Sequence, residues 1–99
     1  IWNTHYGFIR GQNQAATSIG EWGGQMSGTD LQWMNEFASY LQSHDIPDTF
    51  FWCLNSDSGD TGGLLDGWNT PDTARLNLCK QAQPNPTKVT NENGYVCFD

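Results

Sequence analysis

Ninety-nine residues are enough for one small domain with one core and too few for two. Four Lys and Arg against eleven Asp and Glu leave a formal charge of −7; that excess repels phosphate backbones and argues against a general nucleic-acid binder, while a neutral polymer such as a polysaccharide stays compatible. No run approaches the ~18 apolar residues of a membrane span and no basic-then-apolar signal segment is visible; with Ile1 in first place the start reads as processed or cut.

In chain order, Trp2 to Ile9 reads as the end of a helix packed on its neighbours, followed by a polar turn. Ala15 to Trp22 reads as a short strand, bounded by Asn13 and Gln14 before it and Gly23-Gly24 after it. In a regular strand Thr17, Ile19 and Glu21 share one face. A polar turn, Ser27 to Asp30, opens a helix with Thr29 or Asp30 as N-cap. Leu31, Met34, Phe37, Ala38 and Leu41 then recur in steps of three and four, one apolar stripe widened by Trp33 and Tyr40. His44-Asp45 and Pro47 end that helix.

Asp48 to Leu54 reads as a second strand, apolar enough to be buried on both faces, with Phe50, Trp52 and Leu54 on one side and Phe51 and Cys53 on the other. The loop at 55–63 is dense in Gly, Asp and Ser. Thr70-Pro71-Asp72 signals a helix start with Pro at an early helical position. The helix runs to about Ala82 with Leu76 and Cys79 inward, and Pro84 and Pro86 stop it. In the tail, Tyr95, Val96, Cys97 and Phe98 form a short apolar patch that docks on the body. Strand–helix–strand with a helix of this length implies parallel strands, and two such strands alone cannot cover both faces.

Three features carry chemistry. Glu21 stands at the C-terminal end of a strand among Gly20, Gly23 and Gly24, where parallel α/β folds put their working face and where glycines admit a ligand. A carboxylate there is either used or paired structurally. Trp52 ends the neighbouring strand, and adjacent strands lie about 5 Å apart, so its indole is a sugar platform beside Glu21 or a core residue. The side chains of both are expected to emerge together at one rim. In the third feature, the loop SGDTGG with Asp57 just before it, Asp57 and Asp60 lack the spacing and closing Glu of an EF-hand, and no Gly-Lys-Ser/Thr follows to make a phosphate loop. Cys53, Cys79 and Cys97 allow three single bridges or three free thiols and do not space as a zinc site. Most of the five Trp, five Phe and three Tyr belong to the core. The adjacent pair His5-Tyr6 reads as structural.

Ile19-Gly20-Glu21-Trp22-Gly23 resembles the segment that ends the seventh barrel strand of family 5 glycoside hydrolases, the cellulase and endo-β-1,4-glucanase family. Phe51-Trp52-Cys53-Leu54-Asn55-Ser56-Asp57-Ser58-Gly59-Asp60-Thr61-Gly62-Gly63 resembles the eighth strand and its loop. Trp2, Tyr6-Gly7, Trp33, Phe37, Tyr40, Leu41 and Gly67-Trp68 fit the same pattern, so the resemblance covers roughly residues 1–80. It implies an α/β fold: part of a TIM (β/α)8 barrel, the last two βα units (β7-α7-β8-α8) over residues 1–83, and a C-terminal tail, 84–99. A complete barrel needs about 250 residues.

The resemblance further implies a secreted, monomeric glycosidase that hydrolyses β-1,4-linked glucan with retention and uses no cofactor. Glu21 would be the catalytic nucleophile, Trp52 the substrate-binding aromatic floor of the sugar subsite, and Asn55 with the Asp57–Gly63 loop would border the cleft and contact sugar hydroxyls. Ser56 stands where the family usually has Pro, and Cys53 where it more often has a small hydroxyl residue. The second Glu, the acid/base, follows an Asn at the fourth strand in this family. Asn35-Glu36 falls mid-helix and Asn91-Glu92 in the tail, so neither fills that place. Two alternatives are a non-catalytic carbohydrate-binding module and a degenerate barrel remnant.

Overall fold

The computed structural model describes residues 1–85 and 88–98. A π-helical turn, Asn3–Gly7, runs into a short helix α1, Phe8–Gly11. Strand β1 (Ser18–Trp22), helix α2 (Gly28–Ser43) and strand β2 (Asp48–Phe51) follow. After a long loop come the two-residue strands β3 (Leu65–Asp66) and β4 (Thr70–Pro71), helix α3 (Thr73–Ala82), and the hairpin strands β5 (Val89–Glu92) and β6 (Tyr95–Phe98). β1 and β2 pair in parallel, as the strand–helix–strand order requires.

The register of that pair is irregular. Ile19 faces Thr49 and Trp22 faces Phe51, so three steps along β1 match two along β2. One extra residue is thus accommodated at Gly20-Glu21, which is a bulge. Regular alternation would send Ile19 and Trp22 to opposite faces. With the bulge both pack into the core, Trp22 buried and Ile19 half-buried, while Glu21 stands exposed. The strand is thus not regular, the condition on which Thr17, Ile19 and Glu21 were expected to share a face. The strand also begins at Ser18, later than expected.

The core lies between the strand pair and helices α2 and α3. Trp22, Met34, Phe37, Ala38, Leu41 and Ile46 form it with Leu78 and Ala82. Phe37 meets Trp2, Trp22 and Trp33 at ring-centroid distances of 5.0, 5.6 and 5.9 Å. These tilted and edge-on contacts suit the ring quadrupoles. Gly7 lets the N-terminal turn close on α2, since a Cβ there would lie 1.7 Å from the Tyr40 hydroxyl. Tyr6 stacks edge-on against Tyr40, and burial raises the phenol pKa of both. His5 is exposed.

Helix α2 starts otherwise than expected. Ser27 is the N-cap, without a side-chain cap bond, and neither Thr29 nor Asp30 caps it. Asp30 Oδ2 instead accepts the Gln25 backbone N–H at 3.0 Å. The helix ends on a Schellman motif: Asp45 takes φ 52°, its N–H bonds Gln42 O, and the N–H of buried Ile46 bonds Leu41 O at 3.0 Å. Arg10 pairs with Asp45, tying α1 to this corner.

Pro71 belongs to β4, and α3 begins two residues later, with Asp72 as N-cap accepting the Arg75 N–H at 3.0 Å. Leu78 and Ala82 are its buried residues; Leu76 and Cys79 are only half-buried. Cys79 sits where burial pushes its thiol up to about 11. Cys53 and Cys79 are free thiols, so no bridge joins them. The helix ends before Pro84, while Pro86 lies outside the described residues.

β2 is shorter than expected and buried on one face only. Phe50, Trp52 and Leu54 are 64, 50 and 64% exposed, while Cys53 is buried. The alternation holds, but a single neighbouring strand leaves the outer row uncovered. Half of the expected tail patch falls within the described side chains. Tyr95 and Val96 are exposed on a hairpin whose Asn93-Gly94 turn has both φ values positive, as a two-residue type I′ turn requires. The side chains of Cys97 and Phe98 lie outside the described residues. No helix among the described residues is long and apolar enough to cross a membrane.

The raised Cys79 pKa sets an alkaline dependence. Below about pH 8.5 the thiol is protonated in both folded and unfolded chains. As pH rises towards about 11 the unfolded chain gives up its proton first, so stability falls. Thermal melts between pH 8 and 11 are expected to show this loss, and Cys79→Ala is expected to flatten part of it; an unchanged slope would show that Cys79 is not responsible.

Candidate active site

The bulge in β1 and the end of β2 meet at the C-terminal rim of the parallel pair. The Trp52 backbone N–H donates to Trp22 O at 2.9 Å, extending the pairing past the last residue of β2. Gly23 makes the approach possible, because a Cβ there would lie 2.4 Å from Trp52 O. The peptide joining Trp52 to Cys53 is cis.

Glu21 and Trp52 thereby line one open cavity of about 470 Å³, together with Ile19, Trp22, Trp33 and Thr61. Glu21 is the only carboxylate in that lining. The indole of Trp52 is half exposed, an apolar plate beside an acceptor oxygen pair. A flat apolar face next to a carboxylate suits a ring with C–H faces and hydroxyl edges.

The loop after β2 borders this cavity and is held from several sides. Cys53 Sγ is within 3.3 Å of Asn55 O and 3.2 Å of Asn55 Oδ1, so the thiol can donate to either. Asn55 Nδ2 donates to Asp57 Oδ2 at 3.1 Å. Asn55 thus faces its own loop and is absent from the cavity lining, whereas Glu21 and Trp52 both reach it. Gly63 passes so close that a Cβ would lie 1.9 Å from Asn55 O. Leu64 and Leu65 N–H groups bond Cys53 O and Leu54 O, each at 2.8 Å, closing the loop at its base.

At the loop's tip Thr61 Oγ1 and Ser58 Oγ lie 2.7 Å apart, and Ser58 Oγ donates to Asp60 Oδ1 at 2.7 Å. The Ser58 hydroxyl, with the Asp60 backbone, lowers the carboxyl pKa of Asp60. Gln25 Nε2 donates to Gly59 O at 3.0 Å, so the loops after β1 and β2 are latched to each other. Among the described residues no group of three or more His, Cys, Asp or Glu side chains forms a metal cluster. Thr61 is the residue through which the Asp57–Gly63 loop lines the cavity; the resemblance implied that loop at the cleft, without naming which of its residues reaches it.

No protein-family model matches the chain. Among curated proteins, Endoglucanase G of Acetivibrio thermocellus is 45% identical over 83 residues, 82% of this chain and 14% of that protein. An endoglucanase of Paenibacillus polymyxa is 40% identical over 71% of this chain and 18% of its own length. The major extracellular endoglucanase of Xanthomonas campestris pv. campestris is 34% identical over 81% of this chain and 17% of its length. The chain therefore spans less than a fifth of the length of these relatives. Among solved structures, the catalytic domain of that Xanthomonas enzyme matches with TM-score 0.76 and 31% identity, over 85% of this chain and 25% of that one. An endocellulase from Pyrococcus horikoshii in complex with cellotetraose matches with TM-score 0.75 and 31% identity, over 82% of this chain and 23% of that one. Sequence and fold agree: over most of its length the chain is homologous to one segment of an endoglucanase catalytic domain.

Proposed function

We propose that the chain is the last two βα units of a family 5 glycoside hydrolase barrel, β1-α2 and β2-α3 standing as the seventh and eighth units. The protein to which they belong hydrolyses β-1,4 bonds of a cellulose-like glucan outside the cell. The observation that carries this reading is the convergence of Glu21 and Trp52 on one cavity at the C-terminal ends of two parallel strands, the end at which barrel enzymes work. The relatives named as endoglucanases, one of them extracellular, and the cellotetraose complex point the same way. The uncovered row of Phe50, Trp52 and Leu54 fits a strand pair that continues into further sheet.

In the retaining reaction Glu21 attacks the anomeric carbon. A bond forms from its oxygen to that carbon as the glycosidic C–O bond breaks, and a second carboxyl group about 5–5.5 Å away protonates the departing oxygen. That group, now a base, takes a proton from water, which displaces Glu21 and restores the starting configuration. Trp52 stacks on the ring being cleaved and holds the anomeric carbon in reach. Asn55 borders the subsite through its hold on the loop. The second carboxyl is not in this cavity's lining, so the described residues supply the nucleophile and platform but not the acid.

In the full-length enzyme, Glu21→Gln is expected to lower kcat on a soluble cellulose derivative by about 10⁴-fold or more, with the melting temperature unchanged. Glu21→Ala with azide is expected to regain turnover and yield an α-glycosyl azide; a β-glycosyl azide would assign Glu21 to the acid/base role, and near wild-type turnover by either variant would remove it from catalysis. Trp52→Ala is expected to raise KM for cello-oligosaccharides about 3- to 10-fold, the range of a lost aromatic contact. The 99-residue chain alone is expected to release no sugar, since general acid catalysis contributes about 10²–10⁴-fold and its donor is elsewhere; Glu21-dependent release by that chain would defeat the fragment reading.

A further inference from the structure

Thr61 is the one cavity-lining residue that comes from the loop after β2, and its place is set from behind by α3. Arg75, on the first turn of that helix, donates from Nη2 to Thr61 O at 2.8 Å and pairs through Nη1 with Asp72. The guanidinium is 11% exposed and the Asp72 side chain 22%, so the charge is held between a carboxylate and a carbonyl away from bulk water. Asp72 is fixed in turn, as Oδ1 caps α3 by accepting the Arg75 N–H at 3.0 Å. That N–H, followed by the Arg75 side chain, keeps the Asp72 carboxyl pKa low, so the pair stays charged. The loop is shaped to receive the guanidinium. Gly62 takes φ +67°, and a Cβ there would lie 2.6 Å from Arg75 Nη2.

We propose that Arg75 is a positioning residue for the sugar subsite: clamped by Asp72, it fixes the Thr61 carbonyl and so turns the Thr61 side chain into the cavity shared by Glu21 and Trp52, where it meets a hydroxyl group of the bound glucan. The proposal rests on the glycosidase reading above. Lysine cannot replace the clamp in full, because one point donor cannot serve the carboxylate and the carbonyl in a fixed fork. The contact with Thr61 exists in the bound ground state as well as in the transition state, so its loss falls on KM more than on kcat.

The test is steady-state kinetics of the full-length enzyme on cello-oligosaccharides, with melting temperatures, for Arg75→Met, Arg75→Lys, Thr61→Val and the double variant Arg75→Met/Thr61→Val. Arg75→Met and Thr61→Val are each expected to raise KM about tenfold while kcat moves less than about threefold, the scale of one lost hydrogen bond. Arg75→Lys is expected to fall between, and to carry the test if the Met variant does not fold. The double variant is expected to bind no worse than the weaker single one, because both act on the same contact. A KM within twofold of wild type in folded Arg75→Lys and Arg75→Met, or fully additive effects in the double variant, would overturn the clamp while leaving Glu21-dependent hydrolysis intact. Loss of Glu21 dependence would instead overturn the glycosidase reading, and this inference with it.

Discussion

One inserted residue in β1 governs the rest of the site. A strand that covers a helical core needs its inward positions filled, and a carboxylate cannot fill one without a partner. Ile19 and Trp22 both occupy inward positions although they are three apart, and the bulge at Gly20-Glu21 absorbs the difference. The core keeps two large apolar side chains, and Glu21 is released to the open rim. A regular strand would have forced a choice: bury Glu21 with Ile19, or expose Trp22 and lose its edge-on contacts with Phe37 and Phe51 at 5.6 and 5.2 Å. Bulges are over-represented beside active sites because they re-aim a side chain without ending the pairing. Here the pairing resumes at once, through Trp22–Phe51 and then Trp52 N–H to Trp22 O.

From that point the positional order passes outward in steps. The resumed pairing sets Trp52, and Gly23 lets the two backbones close to the distance at which Glu21 and Trp52 share a cavity. Cys53, next in the chain, is buried under the loop and holds Asn55. Gln25 reaches from the loop after β1 to Gly59, and Arg75 from α3 to Thr61. The loop at 55–63 is thus fixed at its base, on its flank and from behind. A polar, glycine-rich segment has a large conformational entropy to lose on ordering. Several separate anchors are the physical means by which such a loop can present a side chain at a constant place.

Much of this was legible in the residues, and the failures have definite causes. The stripe from Leu31 to Leu41 marked α2 and its buried side, because 3.6-residue periodicity repeated over three turns is a redundant signal. The parallel pair followed from element order alone. Strand ends and glycines placed Glu21 and Trp52 at one rim, and both line the same cavity there. The bulge was not found, since alternation is read by assuming that no residue is inserted, and Gly20 beside Glu21 was the only hint. Asp30 was read as a cap where it instead holds the Gln25 N–H, because an Asp near a helix start satisfies either donor equally well. The Asn93-Gly94 hairpin carried a strong local signal that the apolar patch around Tyr95 obscured. Arg75 was invisible because its partners, Asp72 and the Thr61 carbonyl, come together only after α3 packs.

The proposed reaction divides its needs unequally, and the geometry of this chain matches one side of the division. A nucleophile must be placed to within a fraction of an ångström relative to the sugar, and placement is a backbone property. The bulge, the Trp22–Trp52 hydrogen bond and the latched loops provide it within 99 residues. Proton delivery requires a second carboxyl at a fixed separation across the glycosidic bond. Under the proposed function such a group rises from a different strand, since Glu21 is the only carboxylate among the residues lining this cavity. The open cavity beside Glu21, lined also by Ile19, Trp33 and Trp52, is the space across which that group would face it. Under the proposed function, then, the free edge of β1 takes the sixth strand, while the acid from the fourth strand faces Glu21 from across the barrel, so completing the sheet and completing the chemistry are separate demands.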